Sequence, residues 1–394
     1  MSPLNQSLNI LFLPRWYPNR HDPMPGLFIQ RQAEALAKSN QVVVLYVHPD
    51  PECPSEFELD YAEEQGVNVI RVYYQVPAPS GSFFSPFVHL FRFVRAHLRG
   101  LDMAGDFSPD IIHSHILTRT GVMGHWLSRR LKTPHVISEH WSRYFPENNT
   151  YRGGVRKFLT RYVVRRAAAV ITVSEKLQQA MQTCRLRNRN DHIVPNVIDT
   201  MLFSPSPGAG NKSLKQFIHV SCFEDRSKNI SGFLAAVKQL RAERSDFRCI
   251  MVGEGPDLED MQNLAMELGL IEDCVFFVGL KEGKELADLY QQSDFCVLSS
   301  RYETFGTIVI ESLACGTPVV ATEVGIVPEV INSSNGIIVP TEDEGALRDA
   351  LREMLDRYDS FDRDAIREGI QDKYTPEAVG NQMTEIYRNI LGYI

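Results

Sequence analysis

The sequence predicts an α/β protein made of two doubly wound, Rossmann-like domains that face each other across a cleft. Three observations carry that prediction. The chain has 394 residues, 43% of them hydrophobic, which is too long for one ordinary core and ample for two. Short β-branched runs recur along it, each followed by a stretch of helical patterning. One segment rich in Ser, Pro and Gly, "SPSPGAGNKS" at 204–213, divides those runs into two sets.

The first set is "NILFL" (9–13), "VVVLYV" (42–47), "VNVIRVYY" (67–74), "DIIHSH" (110–115), "PHVIS" (134–138) and "AVITVS" (169–174). The second is "FIHVS" (217–221), "CIMVG" (249–253), "VFFVG" (275–279), "FCVLSS" (295–300), "PVVAT" (318–322) and "GIIVP" (336–340). Their hydrophobicity is continuous rather than alternating, so each strand is expected to be buried on both faces. Strands that alternate with helices build right-handed βαβ units and a parallel sheet. The expected division is residues 1–205, residues 206–375 and a C-terminal helix over 376–394. Ligands of such sheets bind beyond the carboxyl ends of the strands, and two domains facing that way close by hinge motion.

Composition excludes several classes. The seven cysteines are scattered, without a CxxC pair or a metal-ligand spacing, and read as small buried hydrophobes of a reducing compartment. The N-terminal run lacks the basic flank and apolar length of a signal peptide, and no apolar stretch reaches about 18 residues. A cytoplasmic location is expected. The net charge of −8 is unevenly divided. Residues 1–205 hold 23 basic and 17 acidic side chains, a balance of +6, and residues 206–394 hold 18 and 32, a balance of −14. A positive first half attracts anionic partners. Nothing suggests nucleic acid.

Residues 300–322, "SRYETFGTIVIESLACGTPVVAT", carry the chemistry. A strand ends at "FCVLSS", "RYETF" is the turn after it, and a helix is expected from about Gly306 to Cys315. Its first amides, at Gly306, Thr307 and Ile308, have no intrahelical acceptor and form a phosphate cradle reinforced by the helix dipole. Glu303 in the turn can accept hydrogen bonds from ligand hydroxyls. Glu311, two turns on, is suited to the paired hydroxyls of a ribose. The plainer reading is one capping and one solvated glutamate, but Glu311 lies between Ile310 and Leu313 on a mostly apolar helix.

The Glu-x7-Glu pattern, followed by "PEVI" (328–331) and "NGIIVP" (335–340), resembles the donor-site signature of retaining glycosyltransferase family 4. "MVGEGPDLEDMQNLAMELGL" (251–270), "VFFVGL" (275–280) and "ELADLYQQSDFCVLSS" (285–300) agree in order. So do "PDIIHSH" (109–115), "VISEH" (136–140), "AAVITVSEKL" (168–177) and "IVPNVIDTMLF" (193–203). The resemblance implies a GT-B fold, a nucleotide-sugar donor in the second domain, an acceptor in the first, no cofactor and no obligatory metal. It also implies that the C-terminal helix crosses back onto the first domain. By the same resemblance Glu303 holds donor-sugar hydroxyls, Glu311 the ribose, and Lys228 of "SCFEDRSKN" (221–229) the diphosphate. His140 reaches the donor sugar from the other domain. Phe305, Gly306, Thr307, Ile308, Arg226, Gly253 and Gly255 complete the donor side, and Gly26, Arg15, Trp16, His113 and His115 the acceptor side. Cys222 stands where many family members carry an arginine. Either Arg226 substitutes for it or the site manages with less charge.

Other classes fit less well. "GEGPDL" (253–258) lacks the third glycine of a dinucleotide fingerprint. "DRD" (362–364) sits in a polar helical stretch without a strand before it and reads as solvated charge rather than a metal motif. A non-catalytic sugar binder would need no lysine on a diphosphate, and a nucleotide-sugar epimerase of the same fold would use no acceptor. An anionic, lipid-linked or polysaccharide acceptor suits the basic first half. Residues 83–99, "FFSPFVHLFRFVRAHLR", suit either a core-facing helix with a charged outer side or an amphipathic helix on an anionic membrane. Lys157, Arg161 and Arg165 recur every four residues and are expected to form one basic stripe.

Overall fold

The computed structural model describes residues 6–75, 85–205, 214–271 and 273–393. Most of the expected linker, and the first two residues of the 83–99 run, lie outside the described residues. The first sheet contains β1 (Asn9–Pro14), β2 (Gln41–Asp50), β3 (Phe57–Glu64), β4 (Val67–Gln75), β5 (Ile111–His115), β6 (His135–Glu139), β7 (Ala169–Thr172) and β8 (Asp191–Ile193). Their order is β3-β4-β2-β1-β5-β6-β7-β8, parallel throughout except for the β3–β4 pair. Its helices are α1 (Leu27–Ala37), α2 (Ser85–Met103), α3 (Arg119–Leu131), α4 (Gly154–Arg166) and α5 (Glu175–Thr183).

The period of two is visible in how β2 divides its side chains. Val42, Val44 and Tyr46 join the core under α1, while Val43, Leu45 and Val47 join the core under α2 and α3. All six are buried. Two strands escaped the sequence reading. β3, "FELDYAEE", is an antiparallel edge strand with an acidic, largely exposed outer side, and it replaces the helix expected between β2 and β4. β8 has only three residues.

The second sheet contains β9 (Lys215–Val220), β10 (Phe247–Val252), β11 (Val275–Phe277), β12 (Phe295–Leu298), β13 (Val319–Thr322) and β14 (Gly336–Val339). Its order, β11-β10-β9-β12-β13-β14, is the doubly wound arrangement in which the direction of winding reverses between β9 and β12. Around it lie α6 (Asp225–Lys228), α7 (Ile230–Glu243), α8 (Leu258–Glu267), α9 (Gly283–Gln292), α10 (Thr307–Ala314), α11 (Val327–Val330), α12 (Glu344–Arg357) and α13 (Arg363–Glu368). Asp362, the first acid of the "DRD" run, caps α13 by accepting from the Asp364 and Ala365 amides.

The last helix, α14 (Pro376–Leu391), packs on α1 of the first sheet through Val379, Met383, Ile386 and Tyr387. Gly380 makes the approach possible. A Cβ there would lie 2.7 Å from the Ala35 carbonyl oxygen. Asn40 donates to Thr384 Oγ1 at 3.0 Å, tying the helix to the turn after α1. The Gly380→Ala variant tests this contact. In an open helix the change gains about 1 kcal/mol of propensity, but here overpacking against backbone costs about 1–3 kcal/mol. The expected result is a lower Tm by calorimetry; a Tm equal to or above the parent's would mean α14 is free to move off α1.

Candidate functional site

The switch point of each sheet opens toward the other. In the second sheet it is built from the segments leaving β9 and β12. Gly253 and Gly255 let them meet. Gly253 has φ +130°, and a Cβ there would lie 1.9 Å from the Ser221 carbonyl oxygen; one at Gly255 would lie 2.0 Å from that of Cys222. Both glycines therefore serve the close passage of the loop after β10 against residues 221–223. The segments interlock further where the Arg301 amide donates to the Ser227 carbonyl at 2.8 Å and Ser299 Oγ to that of Lys228 at 2.8 Å.

Lys228 and Glu303, assigned separately from sequence, form one ion pair of 2.5 Å, with side chains 18% and 14% exposed. Ser300 Oγ donates to the same Glu303 oxygen at 2.9 Å. Burial alone would lower the lysine pKa; the Glu303 carboxylate more than offsets this and holds it raised, so the ammonium stays charged. Arg226 does not join them. It is exposed, and its guanidinium donates to the Asn148 carbonyl of the first half at 2.9 Å, so it acts as a tie between the halves.

α10 begins at Gly306, whose φ of +92° only glycine adopts readily, and no side chain caps it. The space beside Gly306 is open, since an added Cβ would meet nothing nearer than 3.8 Å. The Thr307 and Ile308 amides therefore have no intrahelical acceptor, while the Val309 amide bonds the Gly306 carbonyl at 3.0 Å. The Phe305 ring points elsewhere. It is buried in the core near Tyr374, and its carbonyl accepts from the Ile326 amide at 2.7 Å, so only its amide is left for a ligand. Glu311 is 7% exposed and accepts from the Tyr290 hydroxyl at 3.3 Å. Burial raises its pKa, opposed by Arg31 of α1 and by the Tyr290 bond. Tyr290 has no counterpart in the sequence reading; nothing in a tyrosine on an amphipathic helix marks it as the partner of a glutamate 21 residues on.

In the first sheet the switch point lies between β1 and β5. Gly26 has φ +80°, and a Cβ there would lie 2.3 Å from the Trp16 carbonyl oxygen, so glycine lets the loop after β1 press on the start of α1. Arg15 donates to Thr118 Oγ1 at 2.7 Å, and Trp16 stands edge-on to Trp141 at 5.1 Å. His140, just past β6, is 6% exposed beneath Phe28, with ring centroids 4.7 Å apart. Its Nε2 lies 3.4 Å from His115 Nδ1, while His140 Nδ1 and His115 Nε2 have no partner. Burial lowers the His140 pKa to about 3 and that of His115 well below the usual value, so both rings are neutral hydrogen-bonding groups. His113 is corrected from acceptor contact to structural tie. Both its nitrogens are taken, by Tyr387 of α14 at 2.6 Å and Ser138 at 2.8 Å.

One carboxylate shapes this corner, and the sequence reading passed over it. Glu139 accepts the Leu117, His140 and Trp141 amides and the Tyr144 hydroxyl, all at 2.8–3.0 Å. The two halves touch beside both switch points. Ser174 Oγ donates to the Thr304 carbonyl at 2.6 Å, the Glu175 amide to Glu329 at 2.9 Å, and Lys176 pairs with Glu323 at 3.1 Å. Among the described residues no group of three potential ligands is placed to hold a metal ion.

Two facing doubly wound domains with charged switch points define a GT-B protein. The chain belongs to the group 1 glycosyltransferases. The family model described as "Glycosyl transferases group 1" matches residues 206–372, and that described as "Glycosyl transferase 4-like domain" matches residues 25–197. It is 27% identical over 275 residues to the alpha-monoglucosyldiacylglycerol synthase of Streptococcus pneumoniae, covering 66% of this chain and 62% of that protein. It is 22% identical over 365 residues to a putative teichuronic acid biosynthesis glycosyltransferase of Bacillus subtilis, covering 87% and 88%. Among solved structures, the sucrose-phosphate synthase of Thermosynechococcus elongatus superposes with TM-score 0.76 at 22% identity, covering 98% and 100%. An Anabaena protein solved with UDP and glucose gives 0.73 at 19%, covering 96% and 98%.

Buried neutral histidines set an acid limit. His97 is lowered to about 4 and His135, His140 and His219 to about 3, all chiefly by burial. In the unfolded chain each takes up a proton near pH 6.5, while in the folded protein each does not. Their stabilisation is therefore complete above pH 6.5 and is lost as pH falls below it, by about 1.4 kcal/mol per histidine per pH unit. Calorimetry should show Tm falling steeply from pH 6.5 to 5. A flat Tm over that window would mean the rings are hydrated in solution.

Proposed function

We propose that the protein is a retaining, metal-independent glycosyltransferase. It moves a hexose or N-acetylhexosamine from a UDP- or GDP-sugar to an acceptor hydroxyl on a lipid-linked or cell-envelope glycan. The observation that carries this reading is the Lys228–Glu303 pair at the β9/β12 switch point, beside the uncapped start of α10. Lys228 and the α10 amides are suited to the charge that grows on a departing diphosphate, the main lever of a transferase without a metal. Glu303 is suited to the sugar hydroxyls and Glu311 to the ribose. His140, neutral near pH 7, contributes hydrogen bonds rather than proton transfer. The acceptor then attacks from the face that the diphosphate leaves, and the departing phosphate takes its proton. Residues 1–205 hold the acceptor, residues 206–375 the donor, and residues 376–394 join the end of the chain to the acceptor half.

Thermal shifts with UDP- and GDP-sugars in EDTA test this, with Glu311→Ala compared against its own unliganded Tm. One nucleotide series at 100 times its dissociation constant should stabilise the wild type by about 2.7 kcal/mol and leave the variant unmoved. No response to any nucleotide sugar would overturn the reading. Consumption of the donor without an acceptor would replace it with an epimerase or hydrolase of the same fold.

Two exposed helix faces favour work at the inner face of an anionic membrane. The start of α2 leaves Phe87, Leu90 and Phe91 at least 60% exposed, and α4 leaves Val155 and Phe158 still more so. α2 does face the core, where Phe93, Val94, Ala96 and Leu101 pack, as one of the two sequence readings expected; it is the apolar start of the helix that is left uncovered. α4 carries five basic and no acidic residues, though not as a free stripe, because Arg161 is turned onto the Cys184 carbonyl. Among the described residues no helix is long and apolar enough to cross a membrane. Apolar side chains ringed by cations suit peripheral docking. Flotation with phosphatidylglycerol vesicles at low salt should carry the protein upward, and Phe91→Ser with Phe158→Ser should abolish this. Failure of the unaltered protein to float would remove the membrane from the reading.

A further inference from the structure

The corner shaped by Glu139 contains a charge the proposed donor chemistry does not use. Arg143, in the turn after β6, is 7% exposed, and among the described residues it has no hydrogen-bond or ion-pair partner. Its guanidinium carbon lies 3.6 Å from the centroid of the Trp141 ring, and that of Arg15 lies 4.8 Å from the same centroid. The two guanidinium carbons are thus no further apart than those two distances together, and Arg143 is close enough to lower the pKa of Arg15. Arg15 spends a single nitrogen on Thr118. Arg119 and Arg156, both exposed, add their fields to Arg15.

Among the described residues no carboxylate forms an ion pair with either arginine, although Glu139 partly offsets their field. Glu139 is near enough to be felt, but its oxygens are filled by three backbone amides and Tyr144. Burial first, and then the neighbouring arginines, lower the pKa of Arg15, so these cations are crowded together at a cost. The Nε of Arg143 is buried without a partner, and such a nitrogen on a largely covered cation is costly unless something outside the chain completes the group. Planar forks paired in this way match a phosphate.

We propose that Arg15 and Arg143, framed by Trp141 and Trp16, bind a phosphate group of the acceptor at the carboxyl ends of β1 and β6. This rests on the reading of the first half as the acceptor half. It makes the acceptor a phosphorylated or diphosphate-linked glycan rather than a neutral sugar, and the tryptophans supply an apolar wall beside the anion.

The test is a titration of inorganic phosphate into the full-length protein in a phosphate-free buffer, read by calorimetry. In the Lys228→Gln background, which removes the donor-side cation, phosphate binding should persist, and adding Arg143→Gln or Arg15→Gln should weaken it at least tenfold. Arg143→Lys should recover only part of the loss, because an ammonium cannot fork. Unliganded Tm values separate loss of binding from loss of fold, and Arg15→Gln keeps the test open if Arg143→Gln unfolds. Phosphate binding that disappears in Lys228→Gln but survives both arginine variants would place the anion in the donor half and overturn the proposal. So would the absence of phosphate binding in the wild type. UDP or GDP affinity should be unchanged in Arg143→Gln; a fall there would assign the phosphate to the donor. The nucleotide-sugar response of the wild type checks the underlying reading separately.

Discussion

An ammonium and a carboxylate can be drawn out of water at one point only if they meet, and in this chain they meet where the winding of the second sheet reverses. The Lys228–Glu303 contact of 2.5 Å joins the segment after β9 to the segment after β12. Neither loop could keep its charge so well covered alone. In the proposed reading a diphosphate takes over the lysine, and Glu303 is released to accept hydroxyls from the sugar. The pair then stands in the unliganded protein for the contacts that a nucleotide sugar would make. Because the Thr304 carbonyl next to Glu303 is held by Ser174 of the first half, a shift of this loop is felt across the cleft.

The two halves solve the problem of charge differently. The second half is acidic overall and balances Lys228 internally with Glu303. The first half, the acceptor half in the proposed reading, gathers Arg15 and Arg143 around one indole ring and, among the described residues, gives them no ion-pair partner. Only the first arrangement is self-sufficient. Glu139 partly offsets the field of the arginines but pairs with neither, because its oxygens are committed to the backbone of residues 117 and 140–141 and to Tyr144. That commitment fixes the loop that carries His140, Trp141 and Arg143, so one buried carboxylate orders the whole corner without cancelling its charge.

Much of the fold was legible because strands buried on both faces leave uninterrupted apolar runs, and every such run became a strand. β3 was not, since an edge strand with one wet face reads as polar. Glu303, Glu311, Gly306 and Lys228 could be picked out because each has a fixed offset from a strand or helix end. Their pairing could not, because 75 residues separate Lys228 from Glu303. His113 was misassigned for a related reason. It shares its strand and side with His115, and its nitrogens are filled by Ser138 of the neighbouring β6 and, 274 residues later, by Tyr387 of the returning α14. Trp141 and Arg143 follow His140 closely, and a loop leaving a strand's carboxyl end was signal enough to include them.

The neutral histidines bear on how the halves can act together. His140 lies three residues before Arg143 on the loop that Glu139 holds, and a protonated imidazole there would add positive charge to this corner. Burial under Phe28 prevents this by holding His140 uncharged far below physiological pH. In the proposed reading this corner keeps a constant charge while a donor sugar arrives, and the charge that changes is on the phosphate. That phosphate, in the same reading, is held by Lys228 of the second sheet, and the acceptor phosphate by Arg143 of the first. A phosphorylated acceptor and a departing diphosphate repel each other, and separate cations on separate sheets are what allow both to occupy one closed cleft.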